Sequence, residues 1–184
     1  SSASKCATPD THGNRRRPSS TQEIRFATAV LCSIIGDDSG SRLYWEFLDS
    51  GLAESAGMGG YDYQGSGAIM SFICCSPEQA QENLERLATL QQNIRKEGIT
   101  QKELDLAKRK IASHIVLASE RTNSRMFSIG AQWLSEESFK TVAEIAAIYE
   151  SVTLDQIHEA LETFPLDKNM TVTVGPCENL VAPQ

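Results

Sequence analysis

A chain of 184 residues is long enough for one ordinary domain with its own core, and 40% apolar and 22% charged residues are typical of globular proteins. The net charge of −7 at pH 7 and the isoelectric point near 5.0 argue against a nucleic-acid-binding protein, which needs a basic surface. No apolar run approaches the roughly 18 residues of a membrane span, so we expect a soluble domain, cytoplasmic or periplasmic.

The two ends of the chain differ in pattern from its middle. Residues 1–19 are polar, contain Pro9 and Pro18, and show no apolar periodicity, which predicts a disordered or irregular tail. Residues 177–184 are expected to form a second, frayed tail. The single folded domain is therefore predicted to span residues 20–176.

The first predicted helix leads into a glycine. Apolar side chains recur at helical spacing through residues 24–35, so Gly36 is expected just past the helix end with a positive φ. A second, shorter helix should follow at once, with Asp38 or Ser39 as its cap and Gly51 at its end.

Later helix starts are marked by capping boxes. In a capping box, a Ser or Thr side chain accepts from the backbone amide three residues on, and a Glu or Gln at that position bonds back. Such boxes predict at least five helix starts, at Ser20 to Glu23, Ser76 to Gln79, Thr100 to Glu103, Thr141 to Glu144 and Thr153 to Gln156.

Downstream of the second helix, the apolar pattern changes from helical to extended. Residues 53–63 and the strand formers of residues 68–75 are joined by a glycine-containing turn, which predicts a β-hairpin. Its second strand is expected to be buried on both faces or nearly so. Gly57, Gly59 and Gly60 indicate a bulge or a close backbone approach in the first strand.

Most of the remaining chain is predicted to be helical, with a late strand. Helical periodicity covers residues 77–96, 101–120, 126–134, 142–149 and 157–164, and alternation predicts a final strand at Met170 to Val174. The third of these helices is expected to bury a stripe formed by Met126, Ile129, Trp133 and Leu134. The fold class is therefore α+β, a small, mainly antiparallel sheet with several helices packed on one face.

The cysteine pattern favours buried, unreactive thiols. The odd number of cysteines leaves at least one thiol free, and no C-x-x-C spacing is found among Cys6, Cys32, Cys74, Cys75 and Cys177. Neighbouring Cys74 and Cys75 should point to opposite faces of a strand, one into the core and the other towards solvent or a helix. A cysteine-based enzyme using one of these two is the alternative.

Several short motifs occur together in the order of a known family. They are Ser41-Arg42-Leu43-Tyr44-Trp45-Glu46, Gly51-Leu52-Ala53, Cys75-Ser76-Pro77-Glu78, the run from Gly98-Ile99-Thr100 to Ala107-Lys108, Glu120 with Arg125, and Val172 to Pro176. By these motifs the chain resembles the C-terminal, non-catalytic domain of the pitrilysin/insulinase family of zinc peptidases. The resemblance implies an α/β sandwich that pairs with a second domain, and Arg125 is expected to pair with Glu120. It also implies a β-strand ahead of the first helix, where no alternating segment is found.

The resemblance does not extend to a zinc motif. The family's catalytic domain holds zinc with H-x-x-E-H and a further acidic ligand, whereas His12, His114 and His158 have no second His within five positions. His158 with Glu159 and Glu162 is expected to be a solvated helix face, and His114 a half-buried residue. No metal ligand, catalytic residue or cofactor is therefore predicted in this chain, and the resemblance places zinc in a catalytic partner domain.

The resemblance also suggests where peptide could bind. Non-catalytic domains of this family often contribute an Arg and a Tyr that hold the substrate backbone, but the matching positions here are Leu48 and Glu54. The candidate substrate-binding residues are therefore Glu54 and two tyrosines of the first hairpin strand, Tyr61 and Tyr63. Ordinary half-buried strand positions are the alternative for the tyrosines.

Taken together, the sequence suggests the non-catalytic, substrate-chamber domain of a zinc metallopeptidase. Peptide hydrolysis would be carried out by an H-x-x-E-H domain of the same polypeptide or of a partner chain. The alternative is a pseudo-peptidase with a structural role. If the first strand is absent, an unprotected sheet edge predicts a homodimer.

Overall fold

The computed structural model describes residues 2–7, 24–63, 66–167, 169–176 and 180–181. The strands in this part are β1 (Ser2–Ala7), β2 (Ser55–Tyr63), β3 (Ser66–Cys75) and β4 (Met170–Val174). The α-helices are α1 (Ile24–Gly36), α2 (Ala80–Glu97), α3 (Gln101–Ser119), α4 (Thr122–Glu136), α5 (Val142–Ser151) and α6 (Leu154–Thr163). A π-helical turn (Tyr44–Leu48) precedes β2, and a 3₁₀ turn (Pro77–Gln79) leads into α2.

The four strands form one antiparallel sheet in the order β2-β3-β1-β4. The first strand is interior, since Ala3 pairs with Cys74 on one side and with Val174 on the other. The predicted irregular tail is therefore wrong at residues 2–7, and its other residues lie outside the described part of the chain. With β1 in place, the condition attached to the expected homodimer is not met.

One face of the sheet is buried against the helices. Ala56, Met58, Ile69 and Ile73 share this inner face and join Leu31 of α1 in the core. The alternate residues of β3 lie on the opposite face, which the described helices leave open. The expectation that the second hairpin strand is buried on both faces is therefore wrong, and the α+β fold with helices on one face is confirmed.

The end of α1 packs directly on β2. A Cβ atom at Gly36 would lie 2.1 Å from the backbone nitrogen of Met58, a distance that no side chain can occupy. Among the described residues, the glycines with positive φ are Gly40, Gly51 and Gly98. The positive φ expected at Gly36 is therefore wrong, because the glycine serves close helix–strand packing there. Gly51 ends the π-helical turn at the predicted position, with its amide 3.0 Å from the Leu48 carbonyl oxygen.

The predicted capping boxes form at the starts of three helices. Thr100, Thr141 and Thr153 cap α3, α5 and α6, each with the reciprocal bond from the Glu or Gln three residues on. At Ser76 the box is wrong, since the hydroxyl donates to the Gln79 side chain over 3.2 Å and makes no cap bond. The Ser20 box lies outside the described residues.

The helix after Gly36 starts later than expected. The Ser41 hydroxyl accepts from the Tyr44 amide at 3.1 Å and donates to the Asp37 carbonyl at 2.7 Å. Ser41 is buried, so its hydroxyl needs both partners. It takes the capping role that was predicted for Asp38 or Ser39.

A long-range ion pair joins the segment that leads into the π-helical turn to the start of α3. The Arg42 guanidinium approaches both carboxylate oxygens of Glu103, at 2.8 and 3.1 Å, and also donates to the Gly98 carbonyl at 2.9 Å. Burial alone would raise the pKa of Glu103, but hydrogen bonds from Arg42 and Thr100 outweigh it and lower the pKa to about 2. The capping carboxylate of α3 is thus also a tertiary anchor.

The C-terminal segment contacts the body of the domain. Gln81 of α2 accepts from the Val181 amide at 2.9 Å and donates to the Val181 carbonyl at 3.2 Å, while Leu180 packs against the core. The predicted frayed tail over residues 177–184 is therefore wrong at residues 180–181. In the described part of the chain, no helix is long and apolar enough to cross a membrane.

Candidate functional site

The outer face of the sheet carries exposed apolar side chains. This outer face comprises the alternate strand positions that point away from the helices, and its exposed members are Tyr61, Phe72, Met170, Val172 and Val174. Val172 and Val174 are 44% and 65% exposed, although they are the apolar half of an alternating strand. An apolar strand face that its own helices leave open is typical of a surface that receives a ligand or a partner.

The backbone of β2 leaves room for an aromatic side chain of the outer face. Gly57 pairs across the hairpin with Phe72, and a Cβ at Gly57 would lie 2.8 Å from the Phe72 ring. The aromatic ring therefore lies over bare backbone, which explains one of the three strand glycines by close approach. The register of β2 with β3 is continuous past Gly57, so no bulge is needed there.

The candidate substrate-binding residues lie at opposite ends of this face. Tyr61 is 46% exposed on the outer face near the hairpin turn. Glu54 precedes the other end of β2, where its amide bonds to the Cys74 carbonyl at 2.8 Å and its carboxylate accepts from the Cys74 thiol at 3.8 Å. Six strand residues separate the two ends, roughly 20 Å, so the structure does not bring Glu54 and Tyr61 together. The backbone of Tyr63 belongs to β2, but its side chain lies outside the described residues.

The position expected to carry a substrate-gripping Arg serves packing instead. Leu48, at the end of the π-helical turn, is half-buried and packs against the core. Arg42, the nearest Arg in the sequence, is held by Glu103. Neither Leu48 nor Arg42 therefore offers a free cation to a peptide bound on the outer face.

A second exposed apolar surface lies on α4. We call it the α4 face, and its most exposed members are Met126, Phe127, Trp133 and Leu134. Phe127 and Leu134 are 71% and 76% exposed. The prediction that this helix buries the stripe of Met126, Ile129, Trp133 and Leu134 is therefore wrong, because these side chains are 39% to 76% exposed.

Helix α4 is anchored at its C-terminal end. The Glu136 carboxylate, 15% exposed, pairs with Arg25 of α1 and with Lys140. Burial would raise the pKa of Glu136, but hydrogen bonds from Lys140 and Arg25 outweigh it and lower the pKa. This anchor fixes the helix to the domain while its apolar side chains remain at the surface.

The described residues contain no group of three or more His, Cys, Asp or Glu side chains placed to hold a metal ion. His158 is half-buried, with its Nε2 atom buried and without a hydrogen bond partner, and it packs against Gly98. Both the expected solvated face at His158 and the expected half-burial of His114, which is exposed, are therefore wrong. The donor sets among the described residues do not fit a zinc ion.

The two neighbouring cysteines lie as predicted. Cys75 is 1% exposed in the core, whereas Cys74 lies on the outer face and is partly exposed. Among the described residues, the hydrogen-bond partner of the Cys74 thiol is the Glu54 carboxylate and not an imidazole or a cation, so the structure offers no support for cysteine catalysis at this position.

Comparison with protein-family models identifies the family of the chain. Residues 14–111, more than half of it, match the model described as the peptidase M16 inactive domain. The chain belongs to this family. The resemblance to the zinc peptidases drawn from the motifs is confirmed, and the chain is an inactive, non-catalytic domain of that family.

Relatives and solved structures agree with this assignment. The chain is 28% identical over 162 residues to the uncharacterized zinc protease Rv2782c of Mycobacterium tuberculosis, covering 88% of this chain and 37% of the relative. The fold matches the peptidase M16 inactive domain from Pseudomonas fluorescens with a TM-score of 0.80 at 22% identity, over 98% of this chain and 42% of that one. It also matches a protease from Helicobacter pylori with a TM-score of 0.75 at 18% identity, over 95% and 41%.

The matches also show how much of the length of each relative this chain covers. The chain spans little more than a third of the length of the curated relatives it matches. In those relatives, therefore, more than half of the sequence has no counterpart here.

Proposed function

We propose that this M16 inactive domain forms one wall of a peptide-binding chamber, closed by a zinc-bearing catalytic domain of the same family. The observation that carries the proposal is the pair of exposed apolar surfaces on a domain whose described residues do not fit a zinc ion. The catalytic domain would supply the metal and the hydrolysis. The M16 inactive domain would supply binding surface and enclosure.

The α4 face is the proposed contact with the catalytic domain. Its side chains are exposed among the described residues although the helix is fixed at Glu136, so their apolar area remains available for contact with another protein. Covering them with another protein surface removes apolar area from water, which is the main source of stability in such contacts. A polar peptide bound there would remove little apolar area from water and would be stabilised less.

The outer face is the proposed wall of the chamber. Its exposed strand residues offer apolar contacts to an extended peptide, with Tyr61 at one end and Glu54 at the other. The separation of these two residues suits successive positions along an extended chain, about six residues at 3.3 Å each. We propose Tyr61 and Glu54, with Tyr63, as contacts for the bound peptide.

Reconstitution tests this function. The H-x-x-E-H domain of the same gene product is purified separately and mixed with the M16 inactive domain, and the mass of the complex and cleavage of an unstructured peptide are measured. We expect a one-to-one complex and cleavage that needs both proteins and is lost with a chelator. Equal cleavage by the catalytic domain alone would contradict the proposal.

Matched variants locate the contact. Leu134→Asp and Phe127→Asp place a charge on the α4 face and should weaken the complex by at least about tenfold, since burying an unpaired charge is costly. Val181→Asp is the control, because Val181 is 68% exposed and its backbone bonds to Gln81 of α2 rather than to α4. Equal effects of all three variants would place the contact elsewhere.

A structural pseudo-peptidase subunit is the second candidate. It is favoured by Leu48 and Glu54, which stand where the resembled domains carry an Arg and a Tyr for substrate. The same reconstitution separates the two candidates. A stable complex that shows no chelator-sensitive cleavage would favour the structural role.

A further inference from the structure

A cavity lies between α3, α4 and α5, away from the outer face. Its volume is about 200 Å³, and its walls are mainly apolar, with Ile115 of α3, Ile129 of α4, and Val142 and Ile145 of α5. An apolar protein cavity of about 150 Å³ accommodates benzene. This cavity is therefore large enough for one aromatic ring or a short branched aliphatic group.

The polar part of the lining combines uncharged groups of Ser119, Ser124, Ser128 and Gln132 with basic side chains, in a chain with a net charge of −7. His114, Arg125 and Lys140 line the cavity, and none of the described Asp or Glu residues does. Lys140 is paired with Glu136. A local excess of positive charge in an acidic protein favours an anionic ligand.

Arg125 and His114 have no hydrogen bond or ion pair from their side chains to any described residue. The predicted pair between Arg125 and Glu120 is absent among the described residues, and the two lie five positions apart on either side of the break between α3 and α4. Arg125 therefore holds its five N–H donors at the cavity wall without an internal acceptor. A planar guanidinium in this state matches a carboxylate, which accepts two parallel hydrogen bonds from it.

We propose that this cavity binds a small carboxylate that carries an apolar group, the apolar group lying among Ile115, Ile129 and Ile145 and the carboxylate bonding to Arg125, with His114 beside it. The shared chemistry occurs in two sources, a free aryl or short-chain carboxylic acid and the C-terminal residue of a peptide ending in an apolar side chain. The site is independent of the proposed peptide chamber, because it uses other residues on other elements.

Titration of the ¹⁵N-labelled chain tests the site. Amide shifts are followed on addition of phenylacetate, of the neutral phenylacetamide, and of the tripeptide Ala-Ala-Phe. We expect saturable shifts in α3, α4 and α5 with phenylacetate, and about tenfold or more weaker binding of phenylacetamide, since hydrogen bonds between charged groups are the strong ones. Tighter binding of Ala-Ala-Phe than of phenylacetate would identify the peptide C-terminus as the source, and the reverse order a free acid.

Two variants complete the test. Arg125→Gln should weaken phenylacetate binding by about tenfold or more, whereas Arg121→Gln, exposed one turn earlier and outside the cavity lining, should leave it unchanged. Because the comparison of acid and amide uses the unaltered chain, it decides the question even if a variant misfolds. Equal binding of phenylacetate and phenylacetamide, an unchanged Arg125→Gln variant, or no saturable shift would overturn the proposal.

Discussion

Arg42 and Glu103, 61 positions apart in sequence, form a two-point ion pair that ties the segment leading into the π-helical turn to the first turn of α3. The same carboxylate accepts from the amide and hydroxyl of Thr100, at 2.8 and 2.7 Å. One side chain therefore completes a local cap and a tertiary contact. Replacing it with an apolar residue removes both at once.

The first prediction concerns this carboxylate and pH. Glu103→Gln should lower the free energy of unfolding by about 1–2 kcal/mol at neutral pH, less than the whole pKa shift implies because the side chain is partly exposed. The folded-state pKa is about 2 against an ordinary value of 4.5, so the contribution is present above pH 4.5 and is lost as pH falls towards 2. Urea unfolding of both proteins at neutral pH and near pH 3 checks it.

The matched control for this prediction is Glu97→Gln. Glu97 is exposed at the end of α2, and its replacement should change the unfolding free energy by no more than about 0.5 kcal/mol. A gap between wild type and Glu103→Gln that is independent of pH would show that the carboxylate charge is not its cause.

The second prediction concerns helix–strand packing. Gly36→Ala should cost about 3 kcal/mol or more, because its Cβ would meet the backbone of Met58 and neither element can give way cheaply. Gly40→Ala is the control, since Gly40 has φ of 68° and nothing within 4 Å of the added Cβ. It should cost only the left-handed strain, about 1–2 kcal/mol. Thermal or urea unfolding that ranks Gly40→Ala as the worse variant would refute the packing argument.

The third prediction separates the α4 face from the core. Leu134→Ala should change the unfolding free energy of the isolated chain by no more than about 0.5 kcal/mol, because the side chain is already in water. Leu104→Ala should cost about 2–5 kcal/mol, since Leu104 is fully buried. A comparable loss at both positions would mean that Leu134 is covered within the chain.

The fourth prediction concerns thiol access. In a Cys6→Ser, Cys177→Ser background, a thiol reagent should modify one cysteine of the folded chain quickly, and Cys74→Ser should abolish that reaction. Cys32 and Cys75 are 4% and 1% exposed and should react only on unfolding. Two fast thiols in the native state would place Cys75 or Cys32 outside the core.

Local patterns predicted local structure well. The Thr100, Thr141 and Thr153 boxes carry their partners three residues away, so the sequence alone contains the whole interaction. The strand at Ser2–Ala7 could not be found in this way. Its residues have little alternation, and its conformation is set by pairing with β3 and β4 on both sides.

The site residues show the same difference between features set by local sequence and features set by tertiary contacts. Periodicity identified the apolar stripe of α4, but an apolar stripe does not reveal whether its own chain or another protein covers it. The alternation around Val172 and Val174 likewise identified a strand, but not that both side chains lie exposed on the outer face. Arg125 was expected to pair with Glu120 rather than to bind substrate, whereas the cavity at Arg125 depends on how three helices meet.

The measurement that tests the central claim most directly is made on the native gene product isolated from its source. Intact mass, zinc content and chelator-sensitive cleavage of peptides are determined on the same sample. If this M16 inactive domain is one half of a working peptidase, the product will be a longer chain or a complex that carries zinc and loses cleavage with a chelator. A product of this chain alone, free of zinc and inert towards peptides, would contradict the account.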